Sequence, residues 1–414
     1  MRANIVHSGL PRRTIAFDGE LLFAKGIGGI VYDVEGRSYV DFVLGYGAVV
    51  LGHGIAEFIR LVGKYSKHGL LLPGYSRFHV QYISNLLGKE TKDYSVAFFK
   101  TASESVTAAL RLAADLTGKM GVVRCGFLGW HDVLLGNSIR WHETLESPIR
   151  GISRFVDGFR GISGDERAFN WSSLNIEELE SILRENSASI GSFAIDTYQL
   201  QFSNSKTIEE AISLCRARDI LVILDETKLA GRVAKLGLGA KFGWYSDITI
   251  LGKALANGAP LSLLLGKPEI LAASEKIRIT GTFSQELSAI YSGMATAEIM
   301  DGTDGYSRLC RIGARVVDEF CAASKIADVS DKVSLVPVFG GSLIEIKFAA
   351  AILGDWECRQ ALCTMLASNG VLMLQGHASY VCLAHETLDF NDLRNRFAAA
   401  LNEWKNGTLQ GDSN

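Results

Sequence analysis

Leu221-Val222-Ile223-Leu224-Asp225-Glu226 is an unbroken aliphatic run that ends in two acids, and it follows a charged, helix-like segment from Thr207 to Asp219. A run with no polar alternation reads as a strand buried on both faces, as in a parallel sheet covered by helices. Asp225 then stands at the C-terminal end of that strand, where open α/β sheets bind their ligands. An acid that merely caps the next turn would fit the same place. A second stretch, Ile250-Leu251-Gly252-Lys253-Ala254-Leu255-Ala256-Asn257-Gly258-Ala259-Pro260, holds Lys253 among glycines and apolar residues, with no other charge between Asp247 and Lys267. Lysines are seldom set in such surroundings without a partner. Desolvation disfavours the ammonium and leaves the neutral amine that condenses with a carbonyl. The plainer alternative is a side chain that reaches solvent along its aliphatic stem.

Working outward, apolar runs at Val96–Phe99, Val122–Val123, Ser192–Ile195, Ile220–Leu224, Ile248–Leu251 and Leu261–Leu265 alternate with helical stretches such as Ile176–Asn186 and Thr207–Asp219. The alternation predicts an α/β fold with a mainly parallel sheet in a large domain over residues 56–297. Residues 1–55 and 298–414 are assigned to a smaller α+β domain. With 414 residues, 48% of them hydrophobic, the chain can bury a large core. Its formal net charge of −3 offers no electrostatic footprint for nucleic acid or a membrane surface. Seven cysteines are scattered without metal-binding spacing and read as reduced thiols of a cytoplasmic protein. Eight dispersed histidines form no metal motif, so no metal is expected, and His53 and His131 read as structural. Met1–Pro11 lacks an apolar core of signal-peptide length, and no run is long enough to span a membrane.

A strand-end carboxylate and a desolvated lysine amine are what pyridoxal 5′-phosphate (PLP) needs, one for its pyridine nitrogen and one for its aldehyde. At these residues the chain resembles the class III PLP-dependent aminotransferases, and more closely their glutamate-1-semialdehyde 2,1-aminomutase branch. The resemblance runs through nearly the whole chain. Residues Gly28 to Phe42 match the family's opening hairpin, Val50-Leu51-Gly52-His53 its following turn, and Cys382-Leu383-Ala384-His385-Glu386 its closing strand. The resemblance implies PLP-dependent transferase fold type I and a homodimer with shared active sites.

It also implies roles by position. Lys253 would carry PLP and move the substrate proton, and Asp225 would keep the pyridine nitrogen protonated. Phe99-Lys100-Thr101-Ala102-Ser103-Glu104-Ser105 stands where the family has a Ser-Gly-Thr-Glu phosphate loop, so Ala102 and Ser103 would hold phosphate at a helix N-terminus. On its own, that segment is equally an ordinary Thr/Ser helix cap. In Gly126-Phe127-Leu128-Gly129-Trp130-His131-Asp132, Phe127 would stack on one ring face, and Thr227 would lie on the other. Phe127 alone would pass for core packing. Gly281-Thr282-Phe283-Ser284 matches a segment whose threonine reaches the phosphate bound by the neighbouring subunit.

Departures from the family pattern gather on the substrate side. Leu128 replaces a usual histidine, Asp196-Thr197 stands for Glu-Pro, and Thr227-Lys228 follows the Asp-Glu pair. Tyr46, Arg77 and Trp130 occupy segments that border substrate, with Gln375 and His377 as weaker candidates; Arg77 suits a carboxylate or phosphate. Because these changes cluster, the chain reads as a specialised biosynthetic aminotransferase passing an amino group from an amino donor to a keto or aldehyde acceptor. Intramolecular transfer of the aminomutase type stays open. So does a racemase or decarboxylase, since the bond that breaks depends on how substrate is oriented on the ring. A non-catalytic binding protein of the same fold is disfavoured by the presence of Lys253.

Overall fold

The structure, a computed structural model, describes residues 21–129, 131, 168–374 and 376–409. The chain divides into two units. One takes in the described residues of Met1–Gly47, Leu51–Ile55 and Ser307–Asn414, the other those of Ala48–Val50 and Ala56–Tyr306.

In the first unit β1 (Phe23–Ile27), β2 (Ile30–Asp33) and β3 (Ser38–Asp41) form an antiparallel meander. Asp33 holds its turn, accepting the backbone N–H groups of Glu35 and Arg37 and the Tyr39 hydroxyl.

The second unit holds the site. Its sheet has seven strands: β4 (Ser95–Phe99), β5 (Gly121–Cys125), β6 (Ala168–Asn170), β7 (Ile190–Asp196), β8 (Leu221–Asp225), β9 (Ile248–Leu251) and β10 (Ser262–Gly266). They lie in the order β4-β10-β9-β8-β7-β5-β6, and β10 alone runs against its neighbours. Strands β5, β7 and β10 are buried at every residue, which is why they read as aliphatic runs. The short strand β6 was not expected from the sequence. At three half-buried residues it carries too little pattern to read.

Helix α1 (Ala102–Thr117) covers one sheet face, burying Val106, Ala109, Leu112 and Ala113 with Val122, Ile223, Ile250 and Leu264. Each fully buried aliphatic chain of this kind contributes about 1.5–3 kcal/mol. Helix α2 (Leu287–Gly302) packs at the other end of the chain segment, with Leu287, Ile290, Tyr291 and Met294 among Phe78, Tyr82, Leu255 and Leu263.

After α2 the first unit resumes at Ser307, within the helix Gly305–Ile326, and continues with β11 (Val333–Val338), β12 (Leu343–Phe348), β13 (Val371–Leu372) and β14 (Ser379–Tyr380). Strands β11, β12 and β14 form an antiparallel sheet, and β13 joins β3 in parallel. Three details differ from the sequence reading. The boundary placed at 297/298 falls inside α2, whose helix continues unbroken within the second unit. Residues 48–50 also belong there, tied by Val50 N–H to Asn257 Oδ1 and by Arg232 to the Val49 carbonyl. Cys382 to Glu386 is not a strand: Leu383–Thr387 is a 3₁₀ turn, because the His385 ring accepts the Cys382 N–H and the Cys382 carbonyl accepts the His385 N–H.

Among the described residues no helix is long and apolar enough to cross a membrane, and no cluster of His, Cys, Asp and Glu could hold a metal. No disulfide links the seven cysteines.

Candidate active site

Parallel strands deliver their C-terminal ends to one edge of a sheet. In the second unit β4 ends at Phe99, β5 at Cys125, β7 at Asp196, β8 at Asp225 and β9 at Leu251. The residues that follow line a single cavity of about 290 Å³. It takes Lys100–Ser103 after β4, Phe127 and Gly129 after β5, Asp196 at the end of β7, Asp225, Thr227 and Lys228 around the end of β8, and Lys253 after β9. Register places Asp196 beside Asp225.

Asp225 is buried, and its Oδ1 accepts the Thr227 N–H at 2.9 Å. Burial raises its carboxyl to about 6, with the nearby Asp196 adding to the rise; hydrogen bonds from Thr227 and the charge of Lys228 oppose it. A buried acid held this high is relieved by a cation arriving beside it. Lys253 responds in the opposite sense. Desolvation, and then the like charge of Lys228, lower its amine to about 8, against the pull of Asp196 and Asp225. Lys253 also has a left-handed backbone, φ +48°. That conformation costs a non-glycine residue about 1–2 kcal/mol, and such strain gathers at functional sites. Gly252 permits the turn: a Cβ there would press on the Thr227 methyl at 3.3 Å.

At the start of α1, Thr101 is the N-cap. Its hydroxyl accepts the Glu104 N–H while Glu104 takes the Thr101 and Lys100 N–H groups. The cap is thus a real structural device, and it belongs to Thr101 and Glu104. Ala102 and Ser103 are the first helical residues, whose N–H groups have no acceptor in a preceding turn; both line the cavity. Gly129 closes on them at φ +86°, and a Cβ on it would stand 2.7 Å from Ser103 Oγ.

The remaining sequence candidates are placed as follows. Phe127 is part-buried in the cavity wall. Thr282 lies on the exposed turn Gly281–Ser284 and is not among the described residues lining its own chain's cavity. Arg77 is exposed at the head of helix Arg77–Leu87, its guanidinium 5.0 Å from the Phe78 ring centre, and it too lies off the cavity lining. Tyr46 belongs to the other unit, in a left-handed turn after β3. Trp130 and Gln375 lie outside the described residues. His53 pairs with Asp41 and His131 with Thr107, each at about 3 Å. The sequence reading missed two ion pairs at this cavity: Lys100–Glu286 at 2.9 Å, and the buried Lys228–Asp196 at 2.5 Å.

The donor set fits PLP group by group. There is an amine of lowered proton affinity for an aldehyde, a buried carboxyl for a ring nitrogen, aromatic and β-branched surfaces for ring faces, and helix N–H groups for a phosphate.

A sequence profile of the aminotransferase class-III family matches residues 17–394. The chain is 26% identical over 386 residues to the 3-aminobutyryl-CoA aminotransferase of Cloacimonas acidaminovorans, covering 89% of this chain and 86% of that protein. It is 26% identical over 339 residues to a glutamate-1-semialdehyde 2,1-aminomutase of Archaeoglobus fulgidus, covering 79% and 77%. A solved transaminase with PLP bound shares the fold at a TM-score of 0.79 and 18% identity, covering 97% of this chain and 96% of that one. The chain belongs to the class-III aminotransferase family, as a pyridoxal 5′-phosphate-dependent aminotransferase of fold type I.

Proposed function

We propose that Lys253 and Asp225 are the catalytic residues of a specialised aminotransferase, which moves an amino group from a small-molecule amino donor to a keto or aldehyde acceptor in biosynthesis. The observation that carries this reading is the convergence of both side chains on one cavity from the ends of adjacent parallel strands. Bound PLP supplies an electron sink for the bond broken at the substrate carbon. Lys253 would hold the cofactor through Nζ, and its buried amine, lowered in proton affinity, would take and return the proton at that carbon. Asp225 would stabilise positive charge on the ring nitrogen. Ala102 and Ser103 would bind the phosphate, and Phe127 and Thr227 would pack on the ring and so bear on which bond reacts.

Two copies share the work, with Thr282 of each reaching the phosphate bound by the other; its exposed turn supports this. Tyr46, Arg77 and Trp130 are the substrate contacts we assign, and the cytoplasm is the compartment, which suits seven cysteines without a disulfide. Intramolecular transfer is the second reading, favoured by the aminomutases among the relatives.

Absorbance spectra recorded before and after a panel of amino donors, with product analysis and Lys253→Ala as control, test the assignment. A visible cofactor band that bleaches with a donor and yields a keto product supports intermolecular transfer. Turnover of glutamate-1-semialdehyde beside no response to any donor selects the second reading. Inverted stereochemistry or released CO₂ would overturn both. For the dimer, Thr282→Ala should weaken cofactor retention while leaving the sedimentation coefficient unchanged.

A further inference from the structure

Asp196, one of the chain's departures from its family, meets in space a residue of the altered segment after Asp225. Asp196 ends β7 and Lys228 follows β8, and the register of those strands sets Asp196 beside Asp225. Their side chains form an ion pair at 2.5 Å, both nearly fully buried and both in the wall of the cavity that holds Lys253. The Lys228 ammonium also lies 4.8 Å from the Tyr198 ring centre and 5.9 Å from that of Phe127, the distances of a cation against aromatic faces. A carboxylate and two rings therefore hold the Lys228 charge. Among the described residues, the ion pairs at this cavity are Lys228–Asp196 and Lys100–Glu286, and neither takes Lys253.

Two buried ammonium groups facing one small cavity repel more than they would in water, because burial weakens screening by solvent and salt. The proton stays where it is best held. We infer that the Asp196–Lys228 pair tunes Lys253 from the cavity wall by opposed influences: the Lys228 ammonium disfavours an extra proton on the Lys253 nitrogen, and the Asp196 carboxylate paired with it moderates that effect. Lys228 touches neither bond-breaking nor proton transfer in this scheme; it acts through Lys253. The other charged groups facing Lys253 are Asp225 and Arg232, with Lys100 and its partner Glu286 at the rim. The Cys125 thiol, beside Asp196, is held neutral by burial. The direction of each influence agrees: Lys228 lowers the Lys253 amine and Asp196 raises it. The sequence pattern of substrate-side change is thereby read, at these two positions, as a change in how the reactive lysine is tuned.

This inference rests on Lys253 being the cofactor-bearing lysine. Its test is a pH titration of the visible absorbance of the PLP-loaded protein, in wild type, Lys228→Met, Lys228→Arg, Asp196→Asn and the double variant Asp196→Asn/Lys228→Met. The expected result is a midpoint raised by about one pH unit in Lys228→Met, a tenfold change in proton affinity. Asp196→Asn should lower it, and Lys228→Arg should keep it near wild type. In the double variant the two shifts should largely cancel. A pair that only packs the cavity would move both single variants the same way or not at all, and either result overturns the inference. Should Lys228→Met fail to fold, a midpoint lowered in Asp196→Asn beside one unmoved in Lys228→Arg supports the inference, and any other outcome overturns it. Absence of any visible band in the loaded wild type would instead overturn the assignment of Lys253 itself.

Discussion

Asp225 and Glu226 leave the end of β8 side by side, and they serve opposite masters. Glu226 is fully buried and saturated: it accepts the N–H groups of Leu238 and Gly239 and the hydroxyl of Thr197. Gly237 is glycine because any Cβ there would run into that carboxylate. Asp225 is also buried, yet among the described residues its carboxyl accepts a hydrogen bond from Thr227 alone, and it lines the cavity. Burial raises both, Glu226 to about 7 and Asp225 to about 6. The lesson is that burial and a raised carboxyl do not mark function. What separates the two is whether the protein itself supplies the partners.

Substituting both acids breaks or upholds this contrast most forcefully. Asp225→Asn should cost catalysis about 10²–10³-fold, the scale for losing one fixed electrostatic group. The same change should leave the cofactor-free chain as stable as wild type or more so, as read by denaturant titration. Glu226→Gln should do the reverse, lowering Tm by setting an amide NH₂ against backbone donors at a cost of about 1–3 kcal/mol, with PLP still bound. Equal damage from both would erase the distinction.

A pH series sharpens it. Both acids hold their protons in the folded chain at a pH where the unfolded chain has released them. The folded state thus binds more protons, and stability of the cofactor-free protein should fall as pH rises from about 4 to about 7, then level off. Glu226 alone accounts for about 2–3 kcal/mol of that fall. Bound PLP should flatten the part owed to Asp225, because a positive ring nitrogen favours its carboxylate; the part owed to Glu226 should persist. Urea titrations with and without cofactor read the difference.

The same division of labour recurs at the start of α1. Thr101→Ala should cost about 1 kcal/mol of stability, the value of a cap, with cofactor affinity changed less than twofold. Phe127→Leu should be the mildest, weakening PLP binding by about 0.5–1.5 kcal/mol without a drop in the Tm of the cofactor-free chain.

Much of this was legible in the sequence because its signals are local. A strand buried on both faces writes itself as an aliphatic run, so β8 and its terminal Asp225 could be read, and a lone lysine amid glycines drew the eye to Lys253. Ala102, Ser103, Phe127 and Thr227 came from resemblance, and their residue types alone would have passed for a cap or core. The ion pairs were not legible. Lys100 and Glu286 are brought together only by tertiary packing, and Asp196 meets Lys228 only because β7 and β8 are neighbours in register. Asp196 was visible as an oddity and Lys228 lay in an altered segment; pairing the strands first would have joined them. Arg77, whose charge recommended it, lies exposed over Phe78.

Among the described residues, three lysines line the cavity: Lys100, Lys228 and Lys253. Borohydride reduction of the PLP-loaded protein, followed by peptide mass mapping, reads directly which of them carries the cofactor. The account predicts the added mass on the peptide containing Lys253 and on no other. Label on Lys100 or Lys228 in its place would contradict it.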